Sequence, residues 1–245
     1  MKLHILSDLH LERDPSFELK NVNDSDILIL AGDIGDPNSK EYKDLIQSAS
    51  KMYKYIFIIK GNHECYNYTI QETDGIINYI CKEYNNVYYL NRSYIDIDNI
   101  RIIGTTLWSN IIDSQRENIN IFIRDFQLIK NWSIDTYNLE HTKDIAFIKE
   151  QIEKSLNDNK ELVVVTHHPP TQLNTSNPEY NNSPLSSAYS SNLEYLLGNP
   201  IKLWIYGHTH YSSQQELNNT KLVSNQKGII SQSIGFDPDF QIHLK

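Results

Sequence analysis

ILILAGDIGD, residues 27–36, is the stretch of sequence that decides the fold. Its first half is a run of isoleucine and leucine, which is typical of a strand buried on both faces of a parallel sheet. Its second half is a polar turn that carries Asp33 and Asp36. Ligand sites in α/β proteins are built where such strands end. The stretch therefore predicts an α/β fold with a carboxylate-bearing site at the end of this strand.

The same arrangement of an apolar run and a polar cluster occurs at four other places. Gly, Asp and Asn are common in turns for backbone reasons alone, so one such cluster carries little weight. Five metal-competent clusters at five strand ends are difficult to explain by turns or packing, and they indicate a two-metal hydrolytic centre. The other four are Leu3–Leu6 before Asp8-Leu9-His10, Tyr55–Ile59 before Gly61-Asn62-His63-Glu64, Leu162–Val165 before His167-His168, and Leu203–Tyr206 before Gly207-His208-Thr209-His210.

Helical and extended patterns alternate between these clusters. Apolar residues at helical spacing predict helices over Ser39–Met52, Ile70–Tyr84 and Asn138–Asn157. The predicted core stripe of the third helix consists of Ile145, Phe147, Ile148, Ile152 and Leu156. Short strands are predicted at Val87–Leu90, Ile95–Ile97, Ile100–Gly104, Gln214–Leu217, Lys221–Ser224 and Phe240–Leu244.

A long loop follows the fourth polar cluster. Residues Pro169–Asn182 are rich in Pro, Asn, Ser and Thr, and a long loop beside a ligand cluster is often a lid or a wall that sets specificity. The sequence contains no internal repeat, low-complexity tract or convincing linker. It therefore predicts a single domain over residues 1–245.

Composition and charge restrict the function classes. The 245 residues carry a formal net charge of −9, which disfavours a nucleic-acid partner because proteins that bind nucleic-acid backbones usually present basic patches. No apolar run reaches the roughly 18 residues that cross a bilayer. Met1-Lys2 leads straight into the first strand, without the features of a signal peptide. We therefore expect a cytoplasmic protein with no membrane partner, whose two cysteines are reduced thiols.

The residue types in the clusters suit two divalent cations. Two such ions about 3.5–4 Å apart need oxygen and imidazole ligands and a shared carboxylate, for which Asp33 is the natural candidate. Asp8 and His10 lie two positions apart, so both can face one ion where a strand curls into its loop. The other candidate ligands are His208 and His210, which have the same spacing, the amide oxygen of Asn62 and the imidazole of His167.

The motifs D-x-H, G-D-x-x-D, G-N-H-E, H-H and G-H-x-H follow one another in this order between residues 8 and 210. The series resembles the calcineurin-like metallophosphoesterase superfamily in all five of its motifs. The stretches Gly104–Trp108 and Thr166–Pro170 are also similar to a group of small single-domain members described only as predicted phosphoesterases. The resemblance implies an α/β fold built as a four-layer α/β/β/α sandwich, in which two mixed β-sheets are flanked by helices. It also implies two divalent metal ions, with manganese favoured over iron, zinc or magnesium.

The resemblance further implies a role for each motif residue. His63 falls at the catalytic histidine of the family, which contacts the phosphate and protonates the leaving oxygen. Asp36 falls at the carboxylate that orients this histidine, in agreement with the rule that a carboxylate behind an imidazole fixes its tautomer. One metal is expected to be held by Asp8, His10, Asp33 and His210, and the other by Asp33, Asn62, His167 and His208.

The expected reaction is hydrolysis of a small phosphomonoester or phosphodiester, with a nucleotide-type substrate among the candidates. A metal-bridging hydroxide is expected to attack in line while His63 acts as general acid. Family members that dephosphorylate proteins carry Arg-Gly after G-D-x-x-D, whereas this chain has Pro37-Asn38, so a protein phosphatase is not expected. His168 is either a substrate contact or a loop histidine beside His167. The other candidate substrate-binding residues are Asn62, Tyr66, Trp108 and Tyr180.

Two other functions stay open at this point. The fold could serve as a non-catalytic scaffold, because fold does not dictate activity. Such proteins typically lose ligands or the catalytic histidine, and this chain keeps every one of them. A metal-dependent nuclease needs a basic, aromatic-lined groove, which the net charge of −9 disfavours. The favoured partner is a small phosphorylated substrate, and the oligomeric state is left open.

Overall fold

The strands pair into two mixed sheets. The computed structural model describes residues 1–20, 22, 25–180, 182–229 and 234–244. In chain order the strands of this part of the chain are β1 (Lys2–Leu6), β2 (Ile27–Ala31), β3 (Tyr55–Ile59), β4 (Val87–Tyr89), β5 (Ser93–Ile97), β6 (Ile100–Gly104), β7 (Glu161–Val165), β8 (Ile201–Tyr206), β9 (Gln214–Leu217), β10 (Thr220–Ser224) and β11 (Gln241–His243). The first sheet has the order β11-β1-β2-β3-β4 and the second the order β5-β6-β7-β8-β10-β9.

Each sheet has a parallel centre and at least one antiparallel edge. In the first sheet β1, β2, β3 and β4 are parallel, and β11 pairs antiparallel with β1. In the second sheet β6, β7, β8 and β10 are parallel, and β5 and β9 form antiparallel edges. The carboxyl ends of the central strands of each sheet therefore lie along one edge of that sheet.

The helices begin at sequence-encoded caps. The described helices are α1 (Lys40–Met52), α2 (Ile70–Cys81), α3 (Arg116–Phe122), α4 (Asp125–Leu128) and α5 (Ile134–Asn157). The Ser39 side chain accepts a hydrogen bond from the backbone N–H of Tyr42 at the start of α1. Thr69 and Glu72 form a capping box at α2, and Ser133 and Thr136 form one at α5. These side chains satisfy backbone donors that the first helical turn leaves free.

Alternate residues of the strands face two different cores, as the period of two along a strand requires. In β2, Ile27 and Ile29 pack against the other sheet. Leu28 and Leu30 instead pack in the cluster that contains the buried residues of α1 and α2. The outer face of the second sheet packs on Ile148 of α5. The layers follow the order helix, sheet, sheet, helix, which confirms the predicted α/β/β/α sandwich.

The structure corrects several details of the predicted elements. Helix α2 ends at Cys81 rather than Tyr84, and α5 begins at Ile134, four residues before the predicted start. The stripe predicted for α5 is partly wrong, because Leu156 is 48% exposed. The side chains of α5 that are buried recur every three or four residues and include polar ones: Ile134, Tyr137, His141, Asp144, Ile148, Gln151 and Ser155. Helices α3 and α4 were not predicted, since such short helices carry too few turns for a periodic pattern.

The five polar clusters meet where the two sheets adjoin. The loop after β1 is joined to the loop after β2, since the backbone N–H of Asp8 donates to the carbonyl of Gly32 at 2.9 Å. The loops after β7 and β8 are joined in the same way, because the N–H of Gly207 donates to the carbonyl of His167 at 2.8 Å. None of the described helices combines the length and the apolar character needed to cross a lipid bilayer.

Candidate metal centre and active site

Several candidate ligands lie on left-handed backbone. A non-glycine residue at positive φ costs on the order of 1–3 kcal/mol and persists where the surroundings enforce it. The turn after β2, which contains Asp33, is enforced by buried Glu64. The Glu64 carboxylate accepts hydrogen bonds from the N–H groups of Asp33 at 3.0 Å and Ile34 at 2.7 Å, and from the N–H of Gly61 at 2.8 Å. Such turns direct side chains two positions apart towards one point. The candidate ligands with positive φ are Asp8 (53°), His10 (49°), Asp33 (53°), His208 (80°) and His210 (54°).

The first group of metal-competent side chains consists of Asp8, His10 and His210. One ligand atom from each lies within 4.8 Å of the other two. The Nε2 atoms of His10 and His210 are 2.9 Å apart, and His210 Nε2 lies 3.7 Å from Asp8 Oδ1. Asp33 Oδ2 is 3.9 Å from His10 Nε2, on the same side. The structure therefore brings together the four residues predicted to hold one ion.

The second group consists of Asp33, His167 and His208, again with ligand atoms within 4.8 Å of one another. His167 Nε2 lies 3.4 Å from Asp33 Oδ1 and 3.1 Å from Asn62 Oδ1. The two oxygens of Asp33 thus face different groups, as a shared carboxylate must. The assignment of ligands to individual ions stays a prediction.

The chemistry of the second group fits a bound cation. His167 Nδ1 lies 2.9 Å from the carbonyl oxygen of Ala31, which can only accept, so Nδ1 carries a proton. Nε2 then faces two oxygens that are acceptors or anionic. Burial alone would lower the pKa of His167, but the Asp33 carboxylate outweighs it and raises the pKa to about 10. The site therefore demands positive charge at this point, which a divalent cation supplies in place of the proton.

The orientation of the Asn62 amide is fixed from behind. Asn62 Nδ2 donates to Asp125 Oδ1 at 2.9 Å and to the Tyr66 hydroxyl at 3.3 Å. The Tyr66 hydroxyl itself donates to Asp125 Oδ1 at 2.9 Å. With Nδ2 held by these partners, Oδ1 must point towards His167. Asp125 is buried, and its hydrogen bond fixes which end of the Asn62 amide faces the candidate metal centre. Residues that contact metal ligands from behind generally have this role.

Two glycines allow the clusters to approach. A Cβ on Gly61 would collide with Asp33 Oδ1, and it would lie 2.7 Å from His167 Nε2. Gly207 has the same role beside Asp8, whose Oδ2 would be 2.6 Å from an added Cβ. Real Cβ atoms essentially never make contacts this short. Glycine is therefore required at these positions by the distance between ligands and backbone.

His63 lies at the open side of the centre. Its backbone N–H donates to Asp33 Oδ1 at 2.9 Å, and its Nε2 lies 4.0 Å from Asp33 Oδ2. Burial alone would lower the pKa of His63, but the carboxylates of Asp33 and Glu12 outweigh it and raise the pKa to about 9. These carboxylates therefore favour the protonated imidazole, which is the form that can act as a proton donor.

The carboxylate behind His63 is Glu12. Glu12 Oε1 lies 3.0 Å from His63 Nδ1. The prediction that Asp36 contacts this histidine is wrong, because Asp36 Oδ1 accepts from the N–H of Asn38 at 2.9 Å and from the Tyr68 hydroxyl at 3.3 Å instead. Asp36 is therefore held by Asn38 and Tyr68, whereas Glu12, two residues after His10, contacts His63.

Two of the predicted substrate contacts are wrong. Trp108 is 1% exposed and packs against Trp132, Tyr137 and His168 in the core, out of reach of a substrate. His168 is fully buried, and its ring lies 4.0 Å from the ring of His208. It therefore supports a ligand rather than binding a substrate.

The other predicted substrate contacts are compatible with the structure. The ring of Tyr66 lies 4.3 Å from the ring of His63. Tyr180 is 56% exposed in a short 3₁₀ turn of the loop after β7. This loop is tied to the last cluster, because the Thr209 hydroxyl donates to the carbonyl of Thr175 at 2.6 Å. Roles for Tyr66, Tyr180 and the loop as substrate contacts stay predictions.

Four residues of the site were not assigned from the sequence. Glu12 and Glu64 had a signal, since both lie within two residues of a candidate ligand. Asp125 and Tyr189 had none, because each comes from a stretch far from every cluster. Tyr189 is 37% exposed and its ring lies 5.2 Å from the ring of His208.

The two-sheet architecture and its groups of His and Asp define a metal-binding α/β hydrolase site. The family model described as Calcineurin-like phosphoesterase matches residues 1–212. The chain therefore belongs to the calcineurin-like phosphoesterase family. This confirms the resemblance seen in the five motifs.

The chain is also similar in sequence to one known protein and in fold to solved structures. An uncharacterized protein of Acanthamoeba polyphaga mimivirus is 34% identical over 266 residues, covering 96% of this chain and 94% of that protein. The phosphopantetheinyl hydrolase of Mycobacterium tuberculosis has a similar fold, with a TM-score of 0.73 and 15% identity over 94% of this chain and 90% of that chain. A dimetal phosphatase from Danio rerio has a TM-score of 0.55 and 11% identity, covering 94% of this chain and 88% of that chain.

Proposed function

We propose that this protein hydrolyses a small phosphomonoester or phosphodiester at a centre that holds two divalent cations, with manganese favoured. The observation that carries the proposal is the shared carboxylate of Asp33. Its two oxygens face the group of His10 and the group of His167, and the imidazole of His63 lies at the open side, with ligand atoms of Asp33, His10 and His63 within 4.8 Å of one another. Divalent cations bound there would neutralise the negative charge of the phosphoryl group and lower the pKa of the water that attacks it.

The residues of the chain itself then have three tasks. Asp125 and Tyr66 hold the amide of Asn62 so that its oxygen faces the centre. Glu64 holds the backbone of Asp33 and Gly61 in the turns that aim the ligands. His63 donates a proton to the leaving oxygen, a contribution typically worth about 10²–10⁴ in rate.

We infer that two tyrosines flank the organic part of the substrate. Tyr66 packs on His63 and Tyr189 packs on His208, at ring distances of 4.3 Å and 5.2 Å, so each ring lies beside a histidine of the centre. Aromatic rings in these positions suit an apolar or nucleotide-type group on the ester. The net charge of −9 supports a small ester in preference to a nucleic acid.

The test is turnover after controlled metal loading. The protein is stripped of metal, and Mn²⁺ is added with bis(p-nitrophenyl) phosphate or p-nitrophenyl phosphate as substrate. Hydrolysis that requires Mn²⁺ and is lost in Asp33→Asn supports the proposal. Metal binding without turnover of any ester would favour the scaffold, and cleavage of single-stranded RNA or DNA alone would favour the nuclease.

A further inference from the structure

One carboxylate oxygen contacts two histidines with different tasks. Glu12 Oε1 lies 3.1 Å from Nδ1 of His10 and 3.0 Å from Nδ1 of His63. The rings of the two histidines meet edge to face, with centroids 4.5 Å apart. His10 follows β1 and His63 follows β3, so Glu12 links two separate loops of the centre.

The charge and the tautomers follow from this geometry. The Glu12 side chain is the acceptor in both contacts, because carboxylate oxygens accept hydrogen bonds and imidazole N–H groups donate them. An ionised carboxylate only accepts hydrogen bonds, so each histidine must carry a proton on Nδ1. Each ring is then turned so that Nε2 faces inward, where Asp33 Oδ2 lies 3.9 Å from His10 Nε2 and 4.0 Å from His63 Nε2.

We propose that Glu12 is the positioning residue of the centre, which fixes metal ligand His10 and proton donor His63 through one oxygen atom. This inference rests on the proposed phosphoesterase function. It moves the orienting role from Asp36, where the motif places it, to a residue of the first cluster. Because both rings depend on one acceptor, a change at Glu12 disturbs proton donation and metal affinity together.

The first experiment compares leaving groups. Glu12→Gln keeps the size of the side chain but removes its charge. Phenyl phosphodiesters need a proton on the leaving oxygen, whereas 2,4-dinitrophenyl esters do not. In the Mn²⁺-loaded enzyme we expect kcat of Glu12→Gln to fall about 10- to 100-fold for the phenyl ester, less than about 3-fold for the dinitrophenyl ester, and KM to stay within about 2-fold.

Control variants separate positioning from general damage. Glu41→Gln removes a carboxylate from the exposed side of α1, and we expect it to leave kcat unchanged for both esters. Glu12→Asp keeps the charge but shortens its reach, so it is expected to recover part of kcat. Equal losses of kcat for both esters in Glu12→Gln would overturn the proposal. It would also be overturned if Asp36→Asn, and not Glu12→Gln, lost more kcat for the phenyl ester than for the dinitrophenyl ester.

The second experiment does not depend on turnover. Long-range ¹H–¹⁵N spectra of the Zn²⁺-loaded protein report which ring nitrogen of each histidine carries hydrogen, with His63→Asn used for assignment. We expect hydrogen-bonded Nδ1–H signals for His10 and His63 that move upfield in Glu12→Gln, because a neutral amide oxygen is a weaker acceptor than a carboxylate. Zn²⁺ affinity in the same variant is expected to fall about 10- to 100-fold at one of two sites.

These outcomes distinguish the two proposals. If the wild-type protein hydrolyses no ester with any metal, the proposed function fails and the spectra alone decide the role of Glu12. If it hydrolyses both esters while the spectra and the affinity of Glu12→Gln match the wild type, the inference about Glu12 is refuted and the proposed function stands.

Discussion

Asp125→Ala is expected to weaken one of two metal sites by releasing the amide of Asn62. In the native chain Nδ2 donates to Asp125 Oδ1 at 2.9 Å, which leaves Oδ1 facing His167 Nε2 at 3.1 Å. A flipped amide would set Oδ1 against the Asp125 carboxylate and lose that hydrogen bond. A hydrogen bond to a charged group is worth about 1.5–3 kcal/mol. Without Asp125 the amide of Asn62 has no preferred orientation, so the affinity for the metal ion should fall about 10- to 100-fold at one site.

The assay is a calorimetric titration of the metal-free protein with Mn²⁺. We expect two binding events in the wild type and a selective loss at the site formed by Asn62, His167 and His208. Tyr66→Phe is the matched control, because it removes one hydroxyl and leaves the contact between Asn62 and Asp125 in place; its effect should be less than about 3-fold. Equal weakening at both sites, or none at either, would refute the reasoning.

Three further predictions concern the same centre. Gly61→Ala should abolish tight metal binding, because the added Cβ collides with Asp33 Oδ1 and overpacking of this kind costs about 1–3 kcal/mol; normal metal content would contradict this. His63→Asn should keep both metals in elemental analysis but lose at least about 100-fold in kcat, as expected for a general acid. Asp33→Asn should reduce the content of both metals together, since its two oxygens face both groups; loss of a single ion would show that the carboxylate is not shared.

The sequence predicts the strands, and the strand ends at which the candidate ligands gather, for a physical reason. Buried parallel strands such as β2 are continuous apolar runs, and the polar residues just beyond them have no packing role, so both are visible along the chain. The loops after these strands meet because parallel strands share one direction. The position of Asp33 at the edge of the sheet could therefore be predicted from the sequence.

The contacts behind the ligands could not be predicted in this way. Asp125 belongs to a four-residue helix, and its contact with Asn62 spans 63 positions in the chain, so no local pattern reports it. Trp108 lies four residues after the end of β6, and its large ring fills the core. Glu12 was present beside the first motif, yet only the folded chain shows that it, and not Asp36, reaches His63.

The most direct test of the central claim is turnover measured against bound metal in the same sample. Mn²⁺ is added stepwise to metal-free protein, and each step is analysed for ions per chain and for hydrolysis of bis(p-nitrophenyl) phosphate. A dinuclear phosphoesterase centre predicts that activity rises with metal content and reaches its maximum at two ions per chain. Full activity at one ion per chain, or no hydrolysis with two ions bound, would contradict it.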